Sequence, residues 1–516
     1  MAAGSDWSRG YPVAMTYPPA WHSFQSPAHL RMICALMGAA WDVGPDSPLS
    51  IAEVGCATGY TASILAAGSP HWQVVGLDYN PAQIIAARSL AARTGLSNVR
   101  FLEVDLAELD GRDLDALPEF DVVTVHGLWS WVSDSVREGI VRLLRRRLKP
   151  GGVALVTYNA LPGAAGGLAL WRLVRETLLR HGGNVGGLDA ARKIVRDLVA
   201  AEAIHLPPSS WRTLLVDEAV SARDGYLLHE FLTAHWRPEF FADVAQAIGG
   251  ARCDFVGSAT IDDNFPQLSL APAQNALWEA ADGDTMRQLL LDVCVPRAFR
   301  RDVFMRGLRR VPADAAVDDI VLAPAALWQD GEVVLRTQAG EARLPSHVMD
   351  QVLPALAENP QPVKSLRALP GCVSVTPSEL LVMLVGSGLA VPLWRYSRSG
   401  PDWDGALAAA RRLNAVAAEE MAPHGVGQGQ MGLATPMLGG ALRASALELA
   451  VARHAADRIA RGMVPLEAGS IAAALLPGAR APEPAVLAEL EEAVARVLRE
   501  RLPIWRSFHV VPSEAA

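Results

Sequence analysis

Between residues 49 and 158, short apolar runs alternate with longer segments whose apolar residues recur at helical spacing. The strand candidates are SIAEVG, WQVVGLD, VRFLEVD, FDVVTVHG and VALVTYN. The helix candidates between them are YTASILAAG, PAQIIAARSLAARTGL and SDSVREGIVRLLRRRLKPGG. This alternation is typical of βαβ units, and strands that are apolar throughout indicate a parallel sheet covered on both faces. The predicted fold class is therefore α/β.

The 516 residues exceed what one hydrophobic core serves, which predicts two to four domains. After residue 165 the strand signal fades, and helical patterns dominate as far as residue 310. An α+β, winged-helix-like module is expected next, with a β-hairpin that turns at Asp330 and Gly331. The predicted units are an α/β domain (1–165), a mostly helical middle domain (166–310), the winged-helix-like module (319–400) and a helical C-terminal domain (401–516).

The net charge of -9 argues against nucleic acid as a partner, because phosphate binding requires a clustered cationic surface. The five cysteines have no CxxC spacing and the twelve histidines no HExxH, so neither a disulfide framework nor a metal site is predicted. The sequence has no charge-free run of about 18 apolar residues and no basic start followed by an apolar stretch. We therefore expect a soluble cytoplasmic protein without membrane insertion.

The stretch EVGCATG, residues 53–59, joins the first predicted strand to the first predicted helix. Gly55 and Gly59 would let the backbone approach a ligand closely, and the helix N-terminus supplies free N–H groups. Asp78 ends the second strand, where a carboxylate can accept both hydroxyl hydrogens of a ribose. Asp105 ends the third strand, within reach of an adenine amino group. The alternative is that each aspartate caps the helix that follows it.

The glycine loop differs from the loops that bind phosphates. It has no GxGxxG turn, the chain has no GKS or GKT, and Glu53 would repel a pyrophosphate. Glu53 suits a ligand that carries positive charge, such as the amino group and sulfonium of S-adenosylmethionine. A left-handed alanine costs about 1–2 kcal/mol, so Ala57 is predicted to have negative φ, with its methyl group beside the methionine part of the ligand.

Residues 49–163 resemble a class I S-adenosylmethionine-dependent methyltransferase, through AEVGCATG, GLDYN, VDL and LKPGGVALVTYN. The resemblance implies a Rossmann-like sheet, S-adenosylmethionine as cofactor and S-adenosylhomocysteine as product. VHGLWSWV, YNALPG and GYLLHEFL resemble bacterial methyltransferases with a methyltransferase regulatory domain, a group that includes lysine methyltransferases of outer-membrane proteins. This narrower resemblance covers residues 1–310. The expected cofactor-binding residues are Tyr17, Glu53, Gly55, Cys56, Ala57, Gly59, Asp78, Tyr79, Asp105, Leu106 and His126.

Methyl transfer from a sulfonium is an in-line displacement in which much of the catalysis can be positioning. A lysine acceptor must first be neutral, which costs roughly 4–5 kcal/mol at pH 7, and an apolar or aromatic pocket lowers that cost. The residues after the fourth and fifth strands are expected to form this pocket. The predicted catalytic residues are His126, Trp129, Tyr158 and Asn159, with Ser130 and Trp131 beside them. The alternatives are core packing for the tryptophans and a bond to nearby backbone for His126.

Two further groups of residues are candidates for contacts with the site. The aromatic residues expected to form a lid are Tyr11, Tyr17, Trp21 and Phe24. The alternative for them is a surface arm packed on the helical domain. Tyr226, His229 and Glu230 share one face of a predicted helix, near the acceptor channel or in a buried hydrogen-bonded set.

The function predicted from these patterns is methylation of a protein or peptide side chain, with lysine as the favoured acceptor. Large accessory regions would supply the recognition surface that a protein acceptor requires. One alternative is methylation of a small biosynthetic molecule. Another is a non-catalytic scaffold or sensor that binds S-adenosylmethionine. A homodimer is compatible with all three.

Overall fold

The computed structural model describes residue 8 and residues 10–13, 17–217, 224–328, 331–396, 402–421, 430–476 and 484–512. The strands are β1 (Ser50–Val54), β2 (Gln73–Asp78), β3 (Val99–Glu103), β4 (Phe120–Val125), β5 (Leu148–Asn159), β6 (Cys253–Ser258), β7 (Phe299–Arg306), β8 (Val321–Pro324), β9 (Val334–Thr337), β10 (Gly340–Arg343), β11 (Gln361–Pro362), β12 (Ala390–Pro392), β13 (Met431–Thr435) and β14 (Gly440–Ala444).

The helices of the N-terminal two thirds are α1 (Pro27–Leu36), α2 (Tyr60–Gly68), α3 (Pro81–Thr94), α4 (Gly111–Ala116), α5 (Asp134–Arg147), α6 (Leu168–Arg180), α7 (Val185–Ala200), α8 (Ser210–Val216), α9 (Asp224–Leu232), α10 (Phe241–Gly249), α11 (Pro272–Ala280), α12 (Gly283–Cys294) and α13 (Ala313–Asp318). Those of the remainder are α14 (Ser346–Glu358), α15 (Val363–Arg367), α16 (Pro377–Leu381), α17 (Trp403–Met421), α18 (Ala446–Ala460), α19 (Ala468–Leu475) and α20 (Pro484–Ser507).

A seven-stranded sheet in the order β3-β2-β1-β4-β5-β7-β6 organises the molecule. Strands β1 to β5 are parallel, and β7 runs antiparallel to both β5 and β6. The predicted α/β fold with a Rossmann-like parallel sheet is confirmed. Because β1 to β4 are parallel, the loops that follow them lie at one edge of the sheet.

Strands β6 and β7 come from residues that the sequence patterns assigned to a mostly helical middle domain, and neither strand was predicted. The predicted boundary after residue 165 divides the seven-stranded sheet. Charged residues concealed β7: Arg300 and Asp302 are buried within the strand, where Arg300 Nε lies 2.8 Å from Asp302 Oδ2. The two charges compensate each other inside the protein, whereas in the sequence they break the apolar pattern of a strand.

The predicted hairpin at Asp330 and Gly331 is also corrected. Asp330 lies outside the described residues, and the strands on either side of this turn pair with other strands. Strand β8 pairs with β11 and β12, whereas β9 pairs with β10. The winged-helix-like arrangement stays a prediction.

Two hydrophobic cores cover the faces of the large sheet. One of them extends from α2 into the C-terminal region, where Ile64 shares a cluster with Leu433, Val451 and Trp505. The other contains Phe120 of β4 and packs it with residues of α5 and α10. Helices α6 to α9 have a separate core of their own. The C-terminal residues thus pack against the helix that follows the glycine loop.

Candidate active site

A cavity lies at the edge of the sheet where β1 to β4 end. All but one of the predicted cofactor-binding residues line it: Tyr17, Glu53, Gly55, Cys56, Ala57, Asp78, Tyr79, Asp105, Leu106 and His126. Gly59 is the exception. It has φ of 73°, and a Cβ atom at this position would lie 2.5 Å from the Phe101 ring. Any larger residue at position 59 would clash with β3, so glycine is required there by packing alone, whether or not it contacts a ligand.

Asp78 ties the glycine loop to the end of β2. Its Oδ2 accepts a hydrogen bond from the Ala57 N–H at 2.8 Å, and its Oδ1 accepts one from the Asn80 N–H at 2.9 Å. Burial raises the pKa of Asp78, while these bonds to its ionised form act in the opposite direction. The cap of α3 is Asn80, whose side chain accepts from the Ala82 N–H. Asn80, and not Asp78, is therefore the N-cap residue of α3.

Ala57 has φ of +47°, so the prediction of a negative φ was wrong. The bond from its N–H to Asp78 accounts for this, because the loop must turn that N–H toward the end of β2. The flanking Gly55 and Gly59 also have positive φ. The loop accepts one strained alanine in order to keep this contact.

The strain at Ala57 predicts that Ala57→Gly stabilises the protein by up to about 1 kcal/mol. Relief of about 1–2 kcal/mol is offset in part by the greater flexibility of glycine in the unfolded chain. Ala86→Gly within α3 is the matched control, and it should cost about 1 kcal/mol. Urea denaturation of both variants checks the opposite signs; a loss of stability at both positions would contradict the strain at Ala57.

Glu53 is a buried carboxyl group in the cavity wall, 6% exposed, and its Oε2 accepts from the Ala62 N–H at 3.0 Å. Burial raises its pKa to about 8 in spite of hydrogen bonds from Ala62 and Thr61. A cation placed beside such a group would favour its ionised form. Together with Asp78, it gives the cavity a wall that fits the ammonium and sulfonium of S-adenosylmethionine.

Asp105 lies two residues beyond the end of β3 and accepts the Ala107 N–H at 2.9 Å through Oδ1. This bond shapes the loop that carries Leu106 along the cavity. Helix α5 presses on the same loop, since a Cβ at Gly139 would lie 1.9 Å from the Leu106 carbonyl oxygen. The helix therefore sets the position of this wall of the cavity.

His126 directly follows β4 and is held by Thr157 of β5. Its Nδ1 lies 2.9 Å from Thr157 Oγ1, which also accepts the Gly127 N–H at 3.0 Å. The ring contacts those of His22 and Phe24, with centroids 4.5 and 5.1 Å away. Burial holds the pKa of His126 well below its usual range, so the imidazole is neutral. The hydrogen-bond partner of His126 is thus the Thr157 hydroxyl, and not a backbone group as the alternative to a catalytic role predicted.

Three predicted catalytic residues, Trp129, Tyr158 and Asn159, lie outside the cavity lining. Tyr158 is buried, and its hydroxyl donates to Asp302 at 2.6 Å. Trp129 donates its indole N–H to Glu239, and Asn159 Oδ1 accepts that of Trp236. These contacts join the sheet to the residues that follow α9, which gives no support to catalytic roles. Trp131 does line the cavity.

The structure adds lining residues that the sequence patterns did not assign to cofactor binding: Tyr11, His22, Gln25, Tyr60, Thr61, Gln83 and His235. Tyr60 and Thr61 begin α2 directly after the loop, so their position was a usable signal. His22 and His235 carry no such signal. Of the lid candidates, Tyr11 and Tyr17 line the cavity, and Phe24 packs on His126. Trp21 is buried instead and donates its indole N–H to Ala441 O.

Helix α9 packs against Tyr11 and Tyr17. The His229 ring lies 5.0 Å from that of Tyr11 and 4.9 Å from that of Tyr17, both edge to face. Tyr226 approaches Tyr17 with a centroid distance of 6.3 Å. The predicted trio on this helix thus stands behind a wall of the cavity. Among the described residues there is no cluster of three or more metal-binding side chains and no helix that is long and apolar enough to cross a membrane.

Comparison with known proteins identifies the class. Residues 52–154 match a family model described as "Methyltransferase domain". Together with the sheet order and the cavity, this makes the chain an S-adenosylmethionine-dependent methyltransferase. Residues 223–306, which contain α9, β6 and β7, match the model "Predicted methyltransferase regulatory domain". The chain thus matches both a methyltransferase-domain model and a regulatory-domain model, in separate segments.

Individual relatives extend the comparison. The chain is 26% identical over 397 residues to the uncharacterized protein sll1526 of Synechocystis, covering 75% of this chain and 77% of that one. It is 31% identical over 117 residues to trans-aconitate 2-methyltransferase of Deinococcus radiodurans, over 22% of this chain and 40% of that enzyme. PKMT2 from Rickettsia typhi, also solved in complex with AdoHcy, shares its fold at a TM-score of 0.64 and 18% identity, over 96% of this chain and 99% of that one.

Proposed function

We propose that this methyltransferase transfers the methyl group of S-adenosylmethionine to a lysine amine of a protein or peptide. The observation that carries the proposal is the make-up of the cavity. Its acidic wall of Glu53, Asp78 and Asp105 continues into an aromatic wall that includes Tyr17, His126 and Trp131. A cationic methyl donor fits the first wall, and an amine that must lose its charge fits the second.

In this proposal Asp78 holds the ribose, Asp105 the adenine amino group, and Glu53 faces the cationic methionine part. The donor supplies a methyl group on a positively charged sulfur. The amine nitrogen forms a bond to the methyl carbon as the carbon–sulfur bond breaks, and sulfur keeps the electron pair. His126, neutral and fixed by Thr157, lines the acceptor side and has its other ring nitrogen available for a hydrogen bond. The aromatic wall disfavours the ammonium form of the acceptor.

A protein acceptor is supported by one comparison and by the size of the accessory regions. PKMT2 denotes a protein lysine methyltransferase, and its fold matches nearly the whole chain, including the C-terminal half. The large regions outside the methyltransferase match give surface for binding a macromolecule. A small-molecule acceptor is favoured only by the similarity to trans-aconitate 2-methyltransferase, which spans 117 residues. A non-catalytic scaffold would need neither the neutral His126 nor the aromatic wall.

We expect radiolabelled S-adenosylmethionine, incubated with the protein and a bacterial lysate, to label the protein fraction as methyllysine. Acid hydrolysis and amino-acid analysis of the labelled proteins check the acceptor. Asp78→Ala should abolish the label, whereas the exposed Asp113→Ala should retain it. Label found only in the small-molecule fraction would replace the lysine proposal by the small-molecule one. Tight cofactor binding without any labelled product would support a scaffold.

A further inference from the structure

Four polar side chains lie together at one side of the cavity, two of them in its lining and two behind it. Tyr11 and Tyr17 come from the N-terminal segment, and His229 and Glu230 come from α9 of the regulatory domain. The His229 ring stands edge to face with both tyrosine rings, at 5.0 and 4.9 Å. Burial, and after it neighbouring acidic groups that include Glu230, raises the pKa of both tyrosine hydroxyls. His229 and Glu230 are each only 6% exposed.

Within the part of the chain that the structure describes, no hydrogen bond or ion pair reaches the side-chain polar atoms of these four residues. Burial is the one cause that raises the pKa of Glu230, to about 8, and no hydrogen bond opposes it. Burial likewise lowers the pKa of His229 to about 4. Buried polar side chains are almost always hydrogen-bonded, so the unpartnered side chains of His229 and Glu230, next to two half-buried tyrosines of the cavity lining, indicate a binding site.

The chemistry of the four side chains selects the ligand. A carboxylate, a neutral imidazole nitrogen and two phenol oxygens can all accept hydrogen bonds, and tyrosine rings also attract cations. The groups that act electrostatically on Tyr11 are Asp78 and Glu230, and those that act on Tyr17 are Glu230, Tyr226 and Tyr11, so none of them is cationic. The ionised form of Glu230 would repel an anion, and an apolar ligand would leave the carboxyl group and the imidazole without partners. An alkylammonium group, with three N–H donors and a positive charge, satisfies the set.

We propose that Glu230 and His229, with Tyr11 and Tyr17, bind the ammonium form of the acceptor on the regulatory-domain side of the cavity, before the amine loses its proton for methyl transfer. This inference rests on the proposed lysine methylation and names the residues that recognise its substrate. Tyr11 and Tyr17 belong both to this group and to the cavity lining, so they connect the two sites. The regulatory domain would thereby contribute directly to acceptor selection.

The test uses n-butylammonium, which reproduces the end of a lysine side chain, and the full-length protein saturated with S-adenosylhomocysteine. Calorimetric titration should show saturable binding that Glu230→Gln weakens at least tenfold. Glu202→Gln, an exposed glutamate of the same region, should leave the affinity unchanged. The neutral n-butanol should not bind. S-adenosylhomocysteine affinity within twofold of the wild type shows that each variant is folded.

Equal n-butylammonium binding by the wild type and Glu230→Gln, or no binding at all, would overturn the inference and indicate that the group holds only water. If Glu230→Gln does not fold, His229→Gln carries the same test, with a loss of at least fivefold expected. The titration is independent of methyl transfer. Binding that depends on Glu230 without protein methylation would refute the lysine proposal alone, whereas methylation unaffected by Glu230→Gln would refute this inference alone.

Discussion

Replacement of Asp78 by alanine is expected to weaken S-adenosylmethionine binding by about a hundredfold or more. The change removes the expected carboxylate bonds to the ribose hydroxyls and also frees the N–H groups of Ala57 and Asn80. Hydrogen bonds to a charged group are worth about 1.5–3 kcal/mol each, so the loss of two corresponds to at least about 3 kcal/mol. The glycine loop would lose its attachment to β2 at the same time.

Isothermal titration calorimetry of S-adenosylmethionine measures this effect directly. Asp113→Ala, an exposed aspartate in α4, is the matched control and should bind like the wild type. Asp78→Asn separates the charge from the shape of the side chain, and it should fall between the two. Unchanged affinity in Asp78→Ala would refute the assignment of the ribose site.

Gly139→Ala is expected to cost about 3 kcal/mol of stability and to weaken cofactor binding as well. The added Cβ would lie 1.9 Å from the Leu106 carbonyl oxygen, so either α5 or the loop after β3 must move. Overpacking of this kind costs about 1–3 kcal/mol, and here the obstacle is backbone, which yields less readily than a side chain. The loop that moves carries Asp105 and Leu106, both in the cavity wall.

Chemical denaturation and cofactor titration of the same samples check both parts of this prediction. The neighbouring Glu138→Ala is exposed on the same helix and should change neither quantity beyond about 0.5 kcal/mol. A Gly139→Ala protein with wild-type stability would mean that the contact between α5 and the loop is looser than the structure describes.

The sheet and the cofactor edge could be predicted because their rules are local. Each strand is an apolar run, and parallel strands bring their following loops to one edge, so Glu53, Asp78 and Asp105 were expected to meet there. The acceptor side did not follow from the same rules. Tyr158 and Asn159 also end a strand, but β7 and the residues after α9 cover that end of β5. These neighbours lie far away in the sequence, so no local sequence pattern predicts their contact with β5.

Strand β7 and the packing of α5 were not predicted, because the contacts that make them possible join residues whose proximity the sequence does not show. Arg300 and Asp302 look like surface residues until their partners are known, and β7 was missed for that reason. The fit of Gly139 against Leu106 is likewise invisible in the sequence. The strained Ala57 contradicted a sound local rule because a single bond to Asp78 outweighs it.

The C-terminal region packs directly against the elements that line the cavity. The Tyr60 hydroxyl, on the helix that begins at the glycine loop, donates to Gly432 O at 2.9 Å, and Trp21 donates its indole N–H to Ala441 O at 3.0 Å. Strands β13 and β14 therefore hold both α2 and the segment that contains Tyr17 and Trp21. A fragment that ends with the regulatory domain would lose these supports and expose the core around Leu433 and Trp505. A substitution near Gly432 would therefore shift Tyr60 in the cavity lining, so the C-terminal region cannot be replaced without a change in the cavity.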